Sequence, residues 1–400
     1  MLIRKLDNGV TCAIRERKDL NSVTVSVWIR TGAAFEDDKT RGIAHFLEHM
    51  MFNGTENFPP GYIDKEVELL GGEINAATSY DYTYYYINLP YEHGEKAVEL
   101  ISELVLHPLF NNEMLEKERP IVLEEIARSK DNPQEIFLET FMEKLYKRAP
   151  YRYPILGFKE TVSSFSINDF KTFYEKFYTP ERITVSIAGK VNTEKIFEIV
   201  EKNFGKIQRD SIVVEPEIEE ARVTAETFEV CHPAVAVPNL IFGWRLPPCS
   251  REDVYFEILD SLLSSGRSSI LYQELRETGI AYAAYSNYQN LLFGSNFSIV
   301  VITDKVEESK KAVKKLVEKI VSVSEDEFEF AKAKLFKGEI FGRESGEAEA
   351  DAIGYALTVM RDADYYNKFF EDLKNVDFKT FKEKISFLLE EPLIGILKGE

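Results

Sequence analysis

Histidine, cysteine and tryptophan are scarce in this sequence, at five, three and two among 400 residues. The cysteines, Cys12, Cys231 and Cys249, are far apart and odd in number. That argues against a disulfide framework and for a reducing compartment. No stretch approaches the roughly 18 consecutive apolar residues of a membrane span. Met1 to Glu16 (MLIRKLDNGVTCAIRE) is interrupted by charges throughout, so it lacks the apolar core of an export signal. The expected location is the cytoplasm. Positive charge is also short: 49 Lys and Arg stand against 68 Asp and Glu, a formal charge of −19. A surface this acidic repels phosphate backbones and anionic lipid, so neither nucleic acid nor membrane is an expected partner.

What the chain does have is enough apolar material, 44% of its residues, for two cores of ordinary size. It also has an internal repeat. Asp169 to Lys176 reads DFKTFYEK and Asp377 to Lys384 reads DFKTFKEK, seven matches in eight at an offset of 208 residues. Each copy is followed by a Pro-containing turn and a short apolar strand, Tyr178 to Lys190 in the first and Leu388 to Gly399 in the second. Both halves also begin alike. Ser22 to Arg30 alternates as a half-buried strand before a helix ending near Asn53-Gly54, and Asn239 to Leu246 precedes a helix ending near Ser265-Gly266. The pattern predicts an α+β chain of two duplicated domains, 1–208 and 222–400, each a largely antiparallel sheet packed with helices. The acidic, Pro-containing segment 209–221 reads as the linker.

The segment that carries chemistry is Arg41 to Met51, RGIAHFLEHMM. His45 and His49, at i and i+4, lie about 40° apart on one helix face. Glu48 adjoins them, while Ile43, Phe46, Leu47 and Met50 can bury the opposite side. Two imidazoles one turn apart can share a metal ion, and a carboxylate beside them can act on the ion's water. The order His-x-x-Glu-His inverts the commoner zinc-protease spacing. A chance match in this composition is expected only about 0.01 times. A third ligand is needed. Glu116 to Arg128 (EKERPIVLEEIAR) reads as a helix with Pro120 near its first turn, and Glu118 and Glu125 share a face two turns apart. Glu125 can reach the metal with Glu118 one layer out, but on spacing alone the reading as ordinary surface glutamates wins, because acidic residues are common on helices.

The chain resembles the pitrilysin or insulinase family of zinc metallopeptidases, in particular the half-size branch that includes mitochondrial processing peptidase. The family's His-x-x-Glu-His, its distal Glu some 75 residues on, and a Glu seven before that are matched by His45, Glu48, His49, Glu125 and Glu118. The resemblance implies zinc held by His45, His49 and Glu125, with Glu48 as general base and Glu118 as support; Glu124 competes for the third position. Gly71 to Tyr86 (GGEINAATSYDYTYYY) resembles the family's edge strand beside the zinc, which takes peptide by strand addition. That implies substrate contacts at Asn75, Ala76 and Ala77, whereas Tyr84 to Tyr86 also read as structural. Ser264 to Tyr285 resembles the family's Arg–Tyr element, with Arg276 and Tyr282 matched; there the pair holds the substrate carbonyl and a developing oxyanion.

Aligning the two helix ends puts Glu257, Asp260 and Ser261 where His45, Glu48 and His49 stand, so no second zinc motif is expected. Of the other histidines, His93 and His107 flank a helix, and Cys231-His232 on a strand face opposite ways. The family encloses unfolded peptides in a chamber of four such domains. This chain supplies two, which implies a homodimer, or a heterodimer with a related chain. Part of the negative charge then lines the chamber and favours basic peptides. The alternatives are a non-catalytic assembly subunit, which usually loses the metal motif, and a dedicated precursor-processing peptidase.

Overall fold

Strand β5 (Thr83–Pro90) shows why these residues form a sheet. Thr83, Tyr85, Ile87 and Leu89 are buried, while Tyr84, Tyr86 and Asn88 alternate with them on the other face. The computed structural model describes all residues except 210–212, 214, 216, 217, 219 and 221–225; most of the expected linker 209–221 lies outside the described residues.

The strands, in chain order, are β1 (Leu2–Lys5), β2 (Thr11–Glu16), β3 (Ser22–Ile29), β4 (Glu73–Thr78), β5, β6 (Ile183–Gly189), β7 (Thr227–Cys231), β8 (Asn239–Arg245), β9 (Ala283–Gln289), β10 (Asn296–Ile302) and β11 (Leu393–Lys398). They form two sheets, ordered β1-β2-β6-β3-β5-β4 and β7-β11-β8-β10-β9. The second order repeats the first from β2 onward. In each, one pair is parallel (β2 with β6, β7 with β11) and the other pairings are antiparallel. The fold is α+β, and the duplication read from the repeated helix extends through the sheets.

The helices used below are α1 (Ile43–Met51), α2 (Asn112–Asp131), α3 (Pro133–Leu145), α4 (Ile167–Phe177), α5 (Asp253–Ser264), α6 (Gly346–Thr358) and α7 (Phe378–Lys384). Helices α4 and α7 carry the repeated DFKTF segment, whose Asp lies inside α4 as Asp169 and caps α7 as Asp377. Pro120 falls in the middle of α2, not in its first turn. No described helix is long and apolar enough to cross a membrane.

The chain divides into two compact units of interleaved segments: Met1–Arg128, Tyr153–Pro216 and Gly342–Tyr366 in one, Ser129–Arg152, Glu217–Phe341 and Asn367–Glu400 in the other. This departs from the contiguous division at 208 and 222. The physical reason lies in the sheets. Every residue of β6, and all of β3 after Ser22, is buried, so these strands are covered on both faces, and β3 is not the half-buried strand that the alternation of Ser22 to Arg30 suggested. In the first unit the second cover is α6. Its Gly354 sits so close to the sheet that a Cβ would fall 2.2 Å from Trp28 Nε1. In the second unit α3 plays that part: a Cβ at Gly243 would meet the Phe141 ring at 2.3 Å. Each sheet thus takes its outer helix from the other half of the sequence.

Candidate metal centre

Helix α1 is held at both ends and along one side. Its N-cap, Gly42, has φ 92 and no side chain to cap with; a Cβ there would lie 2.5 Å from the Leu156 carbonyl oxygen. The cap comes instead from Glu36, whose two carboxylate oxygens accept from the N–H groups of Gly42 (2.9 Å) and Ala44 (2.8 Å). Glu36 is only 6% exposed, and burial pushes its carboxyl up to about 8 against the pull of those two N–H groups and of Arg41. At the other end the His49 carbonyl accepts from Phe52 N–H and from Asn53 Nδ2. Ile43, Ala44, Phe46, Leu47, Met50 and Met51 are buried, with the Phe46 ring edge-on to Phe170 of α4 at 5.0 Å. The polar stripe is all that remains partly open.

On that stripe the His45 and His49 rings stand 4.8 Å apart. Glu125 reaches them from α2: its Oε2 is 3.6 Å from His45 Nε2 and 3.5 Å from His49 Nε2. One ligating atom from each of the three residues can be chosen so that all lie within 4.8 Å of one another, the one such group among the described residues. Glu118, two turns before Glu125, places Oε2 3.6 Å from His49 Nδ1. It therefore faces the ring nitrogen that points away from Glu125, the position from which a carboxylate orients a metal-binding imidazole. Nδ1 of His45 is buried and has no hydrogen-bond partner. Glu124 does not join the group; it is exposed and faces Arg128 at 3.6 Å.

These residues fit a zinc ion. Two imidazoles and one carboxylate are a zinc-type donor set that leaves a coordination position free. Burial, and then the neighbouring charge of His49, hold His45 down to about 4, so its ring is neutral near pH 7, as a ligand must be. The ion-pair partners of Glu125 among the described residues are the two imidazoles alone.

Glu48 projects beside the group and accepts a hydrogen bond at Oε2 from the Thr78 hydroxyl. Burial raises its pKa; the Thr78 hydrogen bond and His49 work the other way, and Glu125 adds to the rise. Thr78 ends β4, the edge strand of its sheet, so Asn75, Ala76 and Ala77 lie on a strand with one unpaired side. Tyr84 to Tyr86 belong to the neighbouring inner strand β5. Thr78 and Glu36 escaped the sequence reading. The signal for Glu36 was present: a helix whose N-cap is glycine must be capped from elsewhere.

A family model described as "Insulinase (Peptidase family M16)" matches residues 11–159, and one described as "Peptidase M16 inactive domain" matches residues 164–335. The chain belongs to peptidase family M16. An uncharacterized zinc protease of Rickettsia felis is 31% identical over 88% of this chain and 86% of its own length. The uncharacterized zinc protease YmxG of Bacillus subtilis is 32% identical over 71% of this chain and 69% of its own. A probable mitochondrial-processing peptidase subunit beta of Arabidopsis thaliana is 31% identical over 52% of this chain and 39% of its own. The fold is shared with a protease from Helicobacter pylori, at a TM-score of 0.92 over 99% of both chains and 24% identity.

The second M16 half carries an echo of the centre. On α5, Asp260 accepts from the Ser286 hydroxyl of edge strand β9 at 2.6 Å, an acid-to-edge-strand bond like that of Glu48 with Thr78. Ser261, in place of the second histidine, donates to the Ala331 carbonyl at 3.1 Å. Arg276 and Tyr282 also belong to the second unit. Arg276 is exposed, with its guanidinium 4.9 Å from the centre of the Tyr272 ring. Tyr282 is 58% exposed, and its hydroxyl donates to Asp304 at 3.1 Å. Cys231 is exposed at the end of β7 and His232, which follows it, is half-buried; His232 Nδ1 accepts from Ala234 N–H.

Proposed function

We propose that the chain is a zinc-dependent metalloendopeptidase acting on unfolded peptides. The observation that carries this reading is the convergence of His45, His49 and Glu125 with Glu48 held alongside by Thr78. The zinc-protease names of its M16 relatives support it.

Bound zinc supplies Lewis acidity, acidifying a water and polarising a carbonyl. The remaining work falls to the chain. Free N–H and C=O groups of β4 around Asn75, Ala76 and Ala77 pair with the backbone of an extended peptide. Glu48 takes the proton of the attacking water and delivers it to the leaving amine nitrogen. Thr78 holds that carboxylate in place, and Glu118 holds the His49 ring. Arg276 donates to the substrate carbonyl and Tyr282 to the developing oxyanion.

Two copies complete the assembly in this reading, and since one chain holds both the metal group and the Arg–Tyr pair, a homodimer suffices. Light scattering should then give a mass near twice 46.0 kDa. The decisive experiment is Glu48→Gln, assayed for zinc and for cleavage of a fluorogenic peptide library. The variant should retain one zinc per chain and lose turnover by about 100-fold or more. Undiminished turnover overturns the mechanism.

A further inference from the structure

On the sheet face opposite α1, an aromatic row runs outward from α6. Tyr82 lies 4.8 Å from Trp28; the Trp28 and Tyr84 rings stack at 4.5 Å with planes 11° apart; Tyr86 follows Tyr84 at 6.1 Å and 18°. Trp28 is covered by α6, whereas Tyr84 and Tyr86 remain partly open. Facing the row, α6 presents Glu347, Asp351 and Tyr355, spaced by four and so on one stripe, with Tyr355 edge-on to Tyr82 at 6.0 Å.

The two carboxylates on this stripe differ from their neighbour on the same helix. Glu349 is neutralised by Arg15 (3.3 Å) and Arg17 (2.6 Å) and accepts from the Tyr366 hydroxyl. Glu347 and Asp351 have no ion-pair partner among the described residues, and Asp351 Oδ1 is buried without a hydrogen bond. After burial, Asp351 is the main cause holding the Tyr84 phenol above its usual range and Glu347 the main cause for Tyr86, while burial and then Glu347 raise Asp351 itself to about 7. Like charges one turn apart destabilise a helix slightly, and a buried unpaired carboxylate oxygen costs more. A cation between the carboxylates and the ring faces would remove both costs and gain the attraction of the π systems.

The row adjoins the free edge. Across the β4–β5 ladder Ala77 is opposite Tyr84 and Asn75 opposite Tyr86, so these side chains share the aromatic face. A peptide paired with β4 turns every second side chain to that face. A long side chain can cross the methyl of Ala77 and reach the ring of Tyr84.

We infer that the open tyrosine face beside β4, closed on one side by Glu347 and Asp351, is a subsite for a Lys or Arg side chain of the extended peptide paired with β4. The inference rests on the reading of β4 as the peptide-binding edge. It assigns the preference for basic peptides to these particular residues of the first unit rather than to the net charge of the chain.

Two fluorescein-labelled decapeptides, identical except for Lys or Gln at alternate positions, are titrated by anisotropy into the full-length protein stripped of metal with a chelator. The Lys peptide should bind about tenfold more tightly, the worth of one cation–π contact with an ion pair. Asp351→Asn with Glu347→Gln should bring its Kd to that of the Gln peptide and leave the latter unchanged. Equal Kd values in the unaltered protein overturn the inference without recourse to any variant. A Lys preference that survives the double substitution, in a protein with unchanged circular dichroism, overturns it as well. Hydrolysis by the zinc-loaded protein is scored separately. Preferential binding without cleavage keeps the subsite and removes the peptidase reading; cleavage with equal binding does the reverse.

Discussion

Glu48 and Thr78 are joined by a hydrogen bond from the threonine hydroxyl to the glutamate carboxylate. One belongs to the helix of the metal group and the other to the last position of the edge strand. A peptide pairing with β4 therefore engages the same strand that sets the carboxylate's orientation.

Removing that hydroxyl tests the link. Thr78→Val should lower kcat by about 10- to 100-fold through misplacement of the carboxylate. KM should hold, because backbone pairing is untouched, and so should zinc content. Thr78→Ser should recover most of the rate. Steady-state kinetics of the three proteins decide it; a fully active Val variant means the hydroxyl positions nothing.

In the proposed mechanism Glu118 acts through His49, whose Nδ1 lies 3.6 Å from its Oε2. Glu118→Gln should weaken zinc binding by about 10- to 100-fold, the usual cost of losing a carboxylate behind a metal-binding imidazole. Competition with a chromophoric chelator measures this directly. Glu124→Gln, on the exposed side of the same helix, serves as the control and should bind zinc normally.

Glu36 makes stability depend on pH. Its folded-state pKa is raised to about 8 from an ordinary 4.5. Between these values the folded state holds the proton that the unfolded chain releases, so its contribution to stability falls as pH rises across that window and levels off above it. The advantage in Tm of the natural protein over Glu36→Gln should accordingly be larger at pH 5 than at pH 8. A gap that is constant or widens with pH rejects the assignment.

Gly354 is a steric requirement of the sheet cover. Gly354→Ala forces a methyl against Trp28 Nε1 and should cost about 1–3 kcal/mol. Calorimetry should show the lower Tm with one zinc per chain still bound at low temperature, since the metal residues lie on the opposite face of the sheet.

The metal helix was legible because His45, Glu48 and His49 are neighbours on one turn of one helix, where spacing is geometry. Glu125 needed the family's spacing, and only in three dimensions is it separated from Glu124, which points to Arg128. The duplication was legible because α4 and α7 kept a segment of sequence. The outer covers were not: an amphipathic stretch such as Pro133–Leu145 shows that it buries a face, but not against which sheet. Thr78 was out of reach for a similar reason, since nothing in a strand residue's type says which carboxylate its hydroxyl meets across 30 positions.

The interleaving has a consequence for biosynthesis. The sheet that carries β4 receives its outer helix from residues 346–358, so that face cannot be sealed until those residues have left the ribosome. Contacts this distant in sequence form late and slowly. A nascent chain paused before Gly346 exposes the Trp28 face of β3 to whatever meets it, a natural point of capture for chaperones. Cutting the gene at the midpoint should therefore yield two insoluble halves, and co-expressing those halves should restore both.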